Sequence, residues 1–525
     1  MFPRGKALLL LLAAGSVATF AAGQRCQSYT SYSQSRHQPY SAGVYELAYQ
    51  RPEPACRTFN SSLVEDAILR IKNQTTDPDL FRLFENTFPN TLDTAIKWRG
   101  VAANNSDEEL AFIITGDIDA MWIRDSANQI APYRSILTSK EDDIASVFRG
   151  AINLQARYLI ISPYCNAFLP PPESGMRPGP NGASYIVTPP YDRNVVFTCN
   201  FELDDFGGFL QLSHDYYTQT GDVDFFGKFQ WIHAVQSILN ASEELRKASY
   251  GPDGEWIRPA YTFQSQTMTS FGTLGNNGMN SPVNYTGMVR SPFRPSDDAA
   301  IYDFQIPANM MLSRYLASTA KIMERLPNAP KGLAQQMRDM AAEIREAVDR
   351  WGVVTAPGGQ RIYAYEVDGF GGQNLMDDAN IPSLLSAPAL GYVAADDPVY
   401  RATRAFVLSR RNPWYCAGPI LNAVGSPHIR PGAAWPMAAI VRAMTADDDA
   451  EIVAAVKEVL GSTDRYGLIH ESVSSFDAGQ WTRSWFGWGN AVFGQMIMEL
   501  ADRKPHILKE SFQPFFIERG EGEVR

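Results

Sequence analysis

Residues that bind transition metals are scarce in this sequence, which has six histidines and five cysteines among 525 residues. His470-Glu471 begins like the H-E-x-x-H motif of zinc proteases, but position 474 is serine, so the motif fails. The chain also lacks a P-loop, a G-x-G-x-x-G motif after a strand and a G-x-S-x-G nucleophile elbow. These absences argue against a zinc protease, a nucleotide-dependent enzyme and an α/β-hydrolase. A Ser/His/Asp triad dispersed along the chain would leave no local pattern and stays open.

Basic residues are also fewer than acidic ones, with 46 Lys and Arg against 57 Asp and Glu. The formal net charge is -11 and the pI is about 5.2. Nucleic acids and anionic membranes select basic surfaces, so we expect neither as a partner. Beyond the N-terminus, no apolar stretch approaches the roughly 20 residues that span a bilayer. The composition therefore fits a protein that acts on a neutral substrate away from membranes.

The N-terminus has the pattern of a signal peptide. Arg4 and Lys6 precede the apolar run 7–14, and small residues follow at 21–23. The apolar run is too short for a membrane span. We therefore interpret residues 1–23 as a signal peptide and expect a secreted protein, with an uncleaved anchor as the alternative.

Two further features agree with secretion. Five N-x-S/T sequons occur in the chain. They lie at Asn60, Asn73, Asn104, Asn240 and Asn284. In an oxidising compartment we expect disulfides between Cys26 and Cys56 and between Cys165 and Cys199, which leaves Cys416 free.

Most of the chain has the periodicity of amphipathic helices. Helices are predicted at 63–72, 126–138, 141–161, 205–219, 224–245, 304–326, 331–349, 378–387, 397–409, 432–445, 449–461 and 487–502. The clearest strand is 110–115, and the intervening segments 163–200 and 250–300 are rich in Pro, Gly, Asn and aromatic residues. Long irregular loops in a compact domain are usually functional. The pattern favours an all-α array with long irregular loops and a few short strands on one face.

No long linker divides this array. Residues 24–56 are polar and rich in Ser, Tyr and Gln, which is typical of an extended arm. We therefore interpret residues 24–525 as a single catalytic domain that begins with this arm.

Several carboxylates lie in loops at predicted helix starts, among aromatic and glycine residues. The segment 116–126 contains acids together with Trp122 and Arg124, and the segment 199–208 contains three acids. Glu471 lies in a loop beside a histidine, shortly before the aromatic segment 482–488. Helix capping and the helix dipole explain some of these acids, but they do not explain all of them.

Acids, arginine and aromatic rings in loops are what a sugar-cleaving pocket requires. Hydrolysis of a glycosidic bond needs one carboxylic acid to protonate the leaving oxygen and a second carboxylate as base or nucleophile. Aromatic rings stack on sugars, and Arg and Asp bind hydroxyls through charge-assisted hydrogen bonds. The dyads Asp297-Asp298 and Asp377-Asp378 suggest calcium as an alternative, but they lack EF-hand spacing.

At these motifs the sequence resembles glycoside hydrolase family 125, the exo-α-1,6-mannosidases of bacteria and fungi, and it looks like a secreted fungal member. The most specific match is G-D-I-x-A-M-W-x-R-D-S at 116–126. The other matching blocks lie in order at 202–204, 294–298, 370–385, 428–436, 470–472 and 485–491. The resemblance therefore covers nearly all of the chain after the signal peptide.

The resemblance implies an (α/α)6 barrel, inversion of configuration and neither a metal nor another cofactor. It also implies that Asp204 is the general acid and Glu471 the general base. Motif membership and side-chain chemistry point to the sugar-binding residues Trp122, Arg124, Asp125, Arg294, Asp378, His428 and Trp435.

The resulting hypothesis is a monomeric, inverting exo-α-mannosidase that removes terminal α-1,6-linked mannose from an oligosaccharide or glycan. One alternative is another inverting (α/α)6 glycosidase, such as a glucosidase. The other is a carbohydrate-binding protein that has lost catalysis, against which the presence of both Asp204 and Glu471 argues.

Overall fold

The structure is a computed structural model that describes residues 26–177, 179, 181–267 and 272–514. The predicted signal peptide, residues 1–23, lies outside these ranges. Helices dominate the fold, and the irregular segments between them carry short strands. In the part of the chain described, no helix combines the length and the apolar character needed to cross a membrane.

The elements have the following bounds. The helices are α1 (Tyr29–Tyr32), α2 (Ser62–Gln74), α3 (Pro78–Thr87), α4 (Asn90–Thr94), α5 (Ile123–Ile130), α6 (Ala145–Ile161), α7 (Leu203–Thr220), α8 (Val223–Phe226), α9 (Trp231–Leu245), α10 (Gly275–Gly278), α11 (Ile306–Met323), α12 (Leu333–Ala347), α13 (Pro398–Val407), α14 (Pro436–Met444), α15 (Asp449–Gly461) and α16 (Gly487–Arg503). The strands are β1 (Ile96–Ala102), β2 (Asn105–Ile113), β3 (Met121–Trp122), β4 (Ala167–Phe168), β5 (Tyr185–Thr188), β6 (Val196–Thr198), β7 (Thr262–Ser265), β8 (Phe304–Gln305), β9 (Val353–Thr355), β10 (Arg361–Tyr363), β11 (Glu366–Val367), β12 (Gln373–Asn374), β13 (Tyr415–Cys416), β14 (Ala423–Val424), β15 (Ala433–Ala434), β16 (Ser472–Ser474) and β17 (Asp477–Thr482).

Helices α5, α7, α11, α14 and α16 pack as neighbours around the interior. Helix α7 lies between α5 and α11, and α16 packs against both α5 and α14. Outside them, α6 packs on α9, α12 on α11 and α15 on α14. Helices α7 and α16 are buried over most of their length, as expected of helices within a large core. Helix α16 approaches the backbone of Phe88 so closely that position 494 must be glycine, because a Cβ there would lie 2.9 Å from the Cα of Phe88.

Most of the predicted helices are confirmed. The patterns at 141–161, 331–349 and 487–502 form α6, α12 and α16. The helix predicted at 224–245 begins only at Trp231, after the single turn α8. Helices α3 and α4 were not predicted.

The helix predicted at 378–387 is wrong, because this buried segment is irregular. Pro382 lies in its middle, lacks a backbone N–H and disfavours helical geometry in the preceding residue. The carboxylate of Asp377 accepts hydrogen bonds from the backbone N–H groups of Leu384 (2.8 Å) and Leu385 (2.9 Å). These bonds satisfy backbone donors that a helix would have satisfied internally.

The strands form small antiparallel sheets that shape the loops. The predicted strand at 110–115 is part of β2, which pairs with β1. Strand β16 pairs with β15 and β17, and β4 pairs with β3 and β6. Strand β16 begins at Ser472, directly after Glu471, and strand β3 ends at Trp122. Two residues of the predicted site are therefore held by sheets.

The predicted cysteine chemistry is confirmed. Cys26 bonds to Cys56 and Cys165 bonds to Cys199, whereas Cys416 is a buried thiol. The Cys165–Cys199 bond joins the segment just before β4 to the residue that follows β6.

Residues 26–56 form an arm with little regular structure that packs along the chain before α16. The ring of Tyr29 meets Trp485 edge-on, with 4.6 Å between the ring centroids. The hydroxyls of Ser33 and Ser484 lie 2.9 Å apart. The arm therefore supports a segment that contributes Arg483 and Phe486 to the candidate site.

Candidate active site

A pocket opens where the segments before α5, α14 and α16 meet, and it encloses about 440 Å³ of space that is continuous with solvent. The pocket brings together six of the residues predicted from the sequence, namely Trp122, Arg124, Asp125, His428, Trp435 and Glu471. Residues that were not predicted also line it, among them Asp297, Asn380, Arg483, Phe486 and Trp488.

Glu471 lies at the start of β16 and is held by the neighbouring strand. Arg483 Nε lies 3.1 Å from Oε1 of Glu471, and the Thr482 hydroxyl donates to Oε2 at 3.0 Å. The pairing of Ser472 with Thr482 across the two strands sets this geometry. These two contacts fix the orientation of the carboxyl group, as a general base requires.

Arg124, in the first turn of α5, is the centre of a buried acidic cluster. Its guanidinium donates to Glu202 and lies 3.2 Å from Asp125, 3.4 Å from Asp204 and 4.0 Å from Asp297. Burial opposes the charge of Arg124, but the carboxylates raise its pKa well above the ordinary value. One permanent cation thus faces four carboxyl groups, and they cannot all be ionised at low cost.

Asp204, the predicted general acid, is not among the pocket-lining residues. It lies in the first turn of α7, has no exposed surface and contacts Arg124. Burial raises the pKa of Asp204 to about 6, and Arg124 offsets part of this effect. Asp204 therefore lies against Arg124 and outside the set of residues that line the pocket.

Asp297 supplies the pocket with a carboxylate that was assigned no catalytic role from the sequence. Its side chain is 36% exposed, whereas that of Asp204 is fully buried. Its Oδ1 accepts hydrogen bonds from Trp122 Nε1 (3.1 Å) and Asn166 Nδ2 (2.9 Å). Asp297 has a φ of 65°, a left-handed conformation that is uncommon outside glycine. Its place in the R-P-S-D-D block was the signal in the sequence.

Burial alone would raise the pKa of Asp297. Arg124 and a hydrogen bond from the Glu202 carboxyl outweigh burial and lower this pKa below its ordinary value. Glu202 shows the opposite shift, because burial raises its pKa well above the ordinary value despite the contact with Arg124. The two carboxyls therefore differ in their affinity for a proton.

His428 faces the pocket from the segment before α14. Its Nδ1 lies 3.3 Å from Asp298 Oδ1. Burial would lower the pKa of His428, but the hydrogen bond and charge of Asp298 raise it to about 9. A protonated imidazole is therefore available as a hydrogen-bond donor at neutral pH.

Two of the predicted sugar-binding residues lie outside the pocket and position its loops. Arg294 is buried and donates from Nε to Glu366 at 2.6 Å. Asp378 accepts hydrogen bonds from the hydroxyls of Ser296 (3.1 Å) and Ser426 (3.0 Å). These contacts fix the loops that carry Asp297, Asn380 and His428 to the pocket.

Aromatic side chains form the remaining walls. Trp435 meets Phe486 edge-on, with centroids 5.7 Å apart, and Trp122 meets Phe197 in the same manner at 5.6 Å. Trp488 lies beneath Arg124, whose guanidinium carbon is 5.4 Å from the ring centroid. These walls are suited to the apolar faces of a sugar ring.

Among the described residues, one group of acids is close enough to share a metal ion, and it consists of Glu202, Asp204 and Asp205. Arg124 already contacts this group through its side chain and its backbone N–H. The dyad Asp297-Asp298, considered above for calcium, is divided between different partners. A cationic side chain thus occupies the position where a metal would otherwise balance the acids.

Two carboxylates, cationic side chains and aromatic walls lie in one pocket, and these are the groups that hydrolysis of a glycosidic bond requires. Residues 77–498 match the family described as metal-independent alpha-mannosidase, GH125. The chain belongs to this family.

Two relatives place the match in context. The chain is 43% identical over 489 residues to the meiotically up-regulated gene 157 protein of Schizosaccharomyces pombe, covering 93% of this chain and 94% of that protein. The fold of the present chain is similar to that of a metal-independent alpha mannosidase of Streptococcus pneumoniae, which was solved as a non-productive complex with alpha-1,6-mannobiose. That comparison has a TM-score of 0.76 and 28% identity, and it covers 85% of this chain and 100% of the other.

Proposed function

We propose that this protein is an exo-acting α-mannosidase that hydrolyses terminal α-1,6-linked mannose with inversion of configuration. Family membership supports the mannoside substrate. The α-1,6-mannobiose bound by the Streptococcus pneumoniae relative supports the linkage. The observation that carries the mechanism is the presence of Asp297 and Glu471 in one pocket.

Glu471 acts as the general base and Asp297 as the general acid. Glu471 is held by Arg483 and Thr482, so its carboxylate is oriented to accept a proton from water. Asp297 is the more exposed carboxyl, and its Oδ2 accepts neither of the hydrogen bonds from Trp122 and Asn166. We assign to this oxygen, which lies 4.0 Å from the Arg124 guanidinium, the proton that the leaving group receives.

In the reaction, Glu471 removes a proton from water as the water oxygen bonds to the anomeric carbon. The glycosidic C–O bond breaks, its electron pair stays on the leaving oxygen, and Asp297 protonates that oxygen. Inverting enzymes hold the two carboxyls roughly 6.5–9.5 Å apart to admit the water. Arg483 and protonated His428 supply positive charge at the pocket wall.

The fold and location extend the proposal. Helices α5, α7, α11, α14 and α16 are assigned to the inner layer of an (α/α)6 barrel, with the buried segment 378–387 between α11 and α14. We also propose that the protein is secreted as a monomer. The two disulfides and the exposure of all five sequon asparagines support passage through the secretory pathway.

Turnover of mannobioses tests the function. Purified protein should release mannose from α-1,6-mannobiose faster than from the α-1,2 and α-1,3 isomers and should leave α-glucobioses intact. The Glu471→Gln variant is the matched control for contaminating glycosidases. Preferred cleavage of an α-glucoside would favour a glucosidase, and binding of mannobiose without turnover would favour a carbohydrate-binding protein.

A further inference from the structure

Glu202 is a buried carboxyl with no part in the mechanism above. It has no exposed surface and precedes α7 by one residue. Arg124 donates to Oε2, and Asn166 Nδ2 donates to Oε1 at 3.1 Å. Each carboxyl oxygen thus has a partner, as burial of an acid requires.

Asn166 links Glu202 to the proposed general acid. The same Nδ2 that donates to Glu202 also donates to Asp297 Oδ1 at 2.9 Å. The orientation of this amide is fixed, because Asn166 Oδ1 accepts from the Thr198 hydroxyl (2.8 Å) and from the Asn200 backbone (3.2 Å). One NH₂ group therefore bridges two carboxyls.

The charges around this bridge favour a proton between the carboxyls. The ionisable groups that face it are Arg124, Asp125, Asp204, Asp205, His428, Arg483, Tyr185 and Tyr261. Among the described residues, Arg124 is the only cation in contact with Glu202, and it is shared with other acids. Buried acids that crowd one cation titrate as a coupled set and retain protons at neutral pH.

We propose that Glu202 is a positioning residue for the general acid, sharing one proton with Asp297 so that the pair enters each turnover singly protonated. The inference rests on the role proposed for Asp297. During turnover the proton leaves Asp297 Oδ2 for the glycosidic oxygen, and the pair becomes doubly anionic beside Arg124. Glu471 meanwhile holds the proton taken from water. After the products leave, solvent carries a proton from Glu471 back to the pair.

The pH dependence of kcat/KM for α-1,6-mannobiose tests this inference. When the proton is on Asp297, Glu202 carries a negative charge that helps to hold it there. Glu202→Gln removes this charge, so the alkaline limb of the kcat/KM profile should move to lower pH by roughly one unit. At a fixed alkaline pH this is about a tenfold loss of kcat/KM. Glu202→Asp should restore the limb toward that of the wild type. Asp204→Asn, in the same cluster but outside the Asn166 bridge, should move it less.

A purely structural role would give a different result. Glu202→Gln would then lower kcat/KM by the same factor at every pH, and the alkaline limb of the pH profile would not move. That outcome overturns the inference. If Glu202→Gln does not fold, Asn166→Ser shortens the bridge without changing charge and should move the limb in the same direction; an unmoved limb again overturns it. The role of Asp297 is tested separately with an activated aryl mannoside, which needs no acid assistance.

Discussion

Arg483 is held in a left-handed backbone conformation, with φ at 54°, and its Nε lies 3.1 Å from Glu471 Oε1. The backbone at this position departs from the extended geometry of β17 and turns the guanidinium toward Glu471. Arg483 also pairs with Asp117, which follows β2. This arginine therefore joins Glu471 to the loop before α5.

Replacement of Arg483 should impair catalysis through Glu471. In Arg483→Met the carboxylate loses its ion pair and its orientation, so we expect kcat to fall about 10²-fold, the lower end of the general acid–base range. Arg483→Lys keeps the charge and should retain more activity. Steady-state kinetics with α-1,6-mannobiose measure both. Equal activity of the methionine variant and the wild type would show that Glu471 needs no such support.

The exposure of Asp297 and the burial of Asp204 predict different responses to the leaving group. Asp297→Asn should lower kcat/KM for α-1,6-mannobiose by about 10²–10⁴-fold. The loss should be far smaller for dinitrophenyl α-mannoside, whose leaving group departs without protonation.

Asp204→Asn is the control, because its carboxyl acts through Arg124 and lies outside the pocket. Its loss should be similar for both substrates. If Asp204→Asn shows the leaving-group dependence and Asp297→Asn does not, the acid is Asp204, as the resemblance implied.

The stereochemistry of the first product tests the proposed inversion. With water delivered by Glu471 opposite the leaving group, β-mannose should appear first and then mutarotate. Proton NMR of the anomeric signals in the first minutes distinguishes the anomers. α-Mannose as the first product would require a covalent intermediate and a closer pair of carboxyls.

Removal of metal ions should leave activity unchanged. Arg124 already provides the cation at the acidic cluster of Glu202, Asp204 and Asp205. Enzyme dialysed against EDTA should keep its full kcat on α-1,6-mannobiose. Loss of activity that calcium restores would contradict this assignment and would point to the Asp297-Asp298 dyad.

The pairing of His428 with Asp298 predicts a pH-dependent contribution to stability. The pKa of His428 is raised from an ordinary value of 6.5 to about 9. A raised pKa stabilises the fold fully below about pH 6.5 and loses this effect as the pH rises through 9. The difference in Tm between the wild type and His428→Gln should therefore shrink between these values. A difference that stays constant over this range would show that the histidine acts by packing alone.

Local patterns predicted much of the helical framework. The apolar periodicity of α12 was sufficient, because this helix buries one face against α11. Helices α6 and α16 are buried over most of their length, and their apolar content was enough to predict them. The segment 378–387 shows the limit. Its apolar residues fit a helical pattern, but proline and the carboxylate of Asp377 give the backbone a different set of hydrogen bonds.

The sequence by itself determined the family and six residues of the pocket, because these depend on residue types in local order along the chain. It also suggested the two disulfides, which the structure confirms. Only the tertiary structure decided which carboxyl faces the pocket with Glu471. Asp204 and Asp297 both lie near Arg124, yet Asp204 is buried in α7 whereas Asp297 is partly exposed in a loop. Solvent access and charge partners depend on residues distant in the chain, such as Asn166 and Trp122, and no local pattern encodes them.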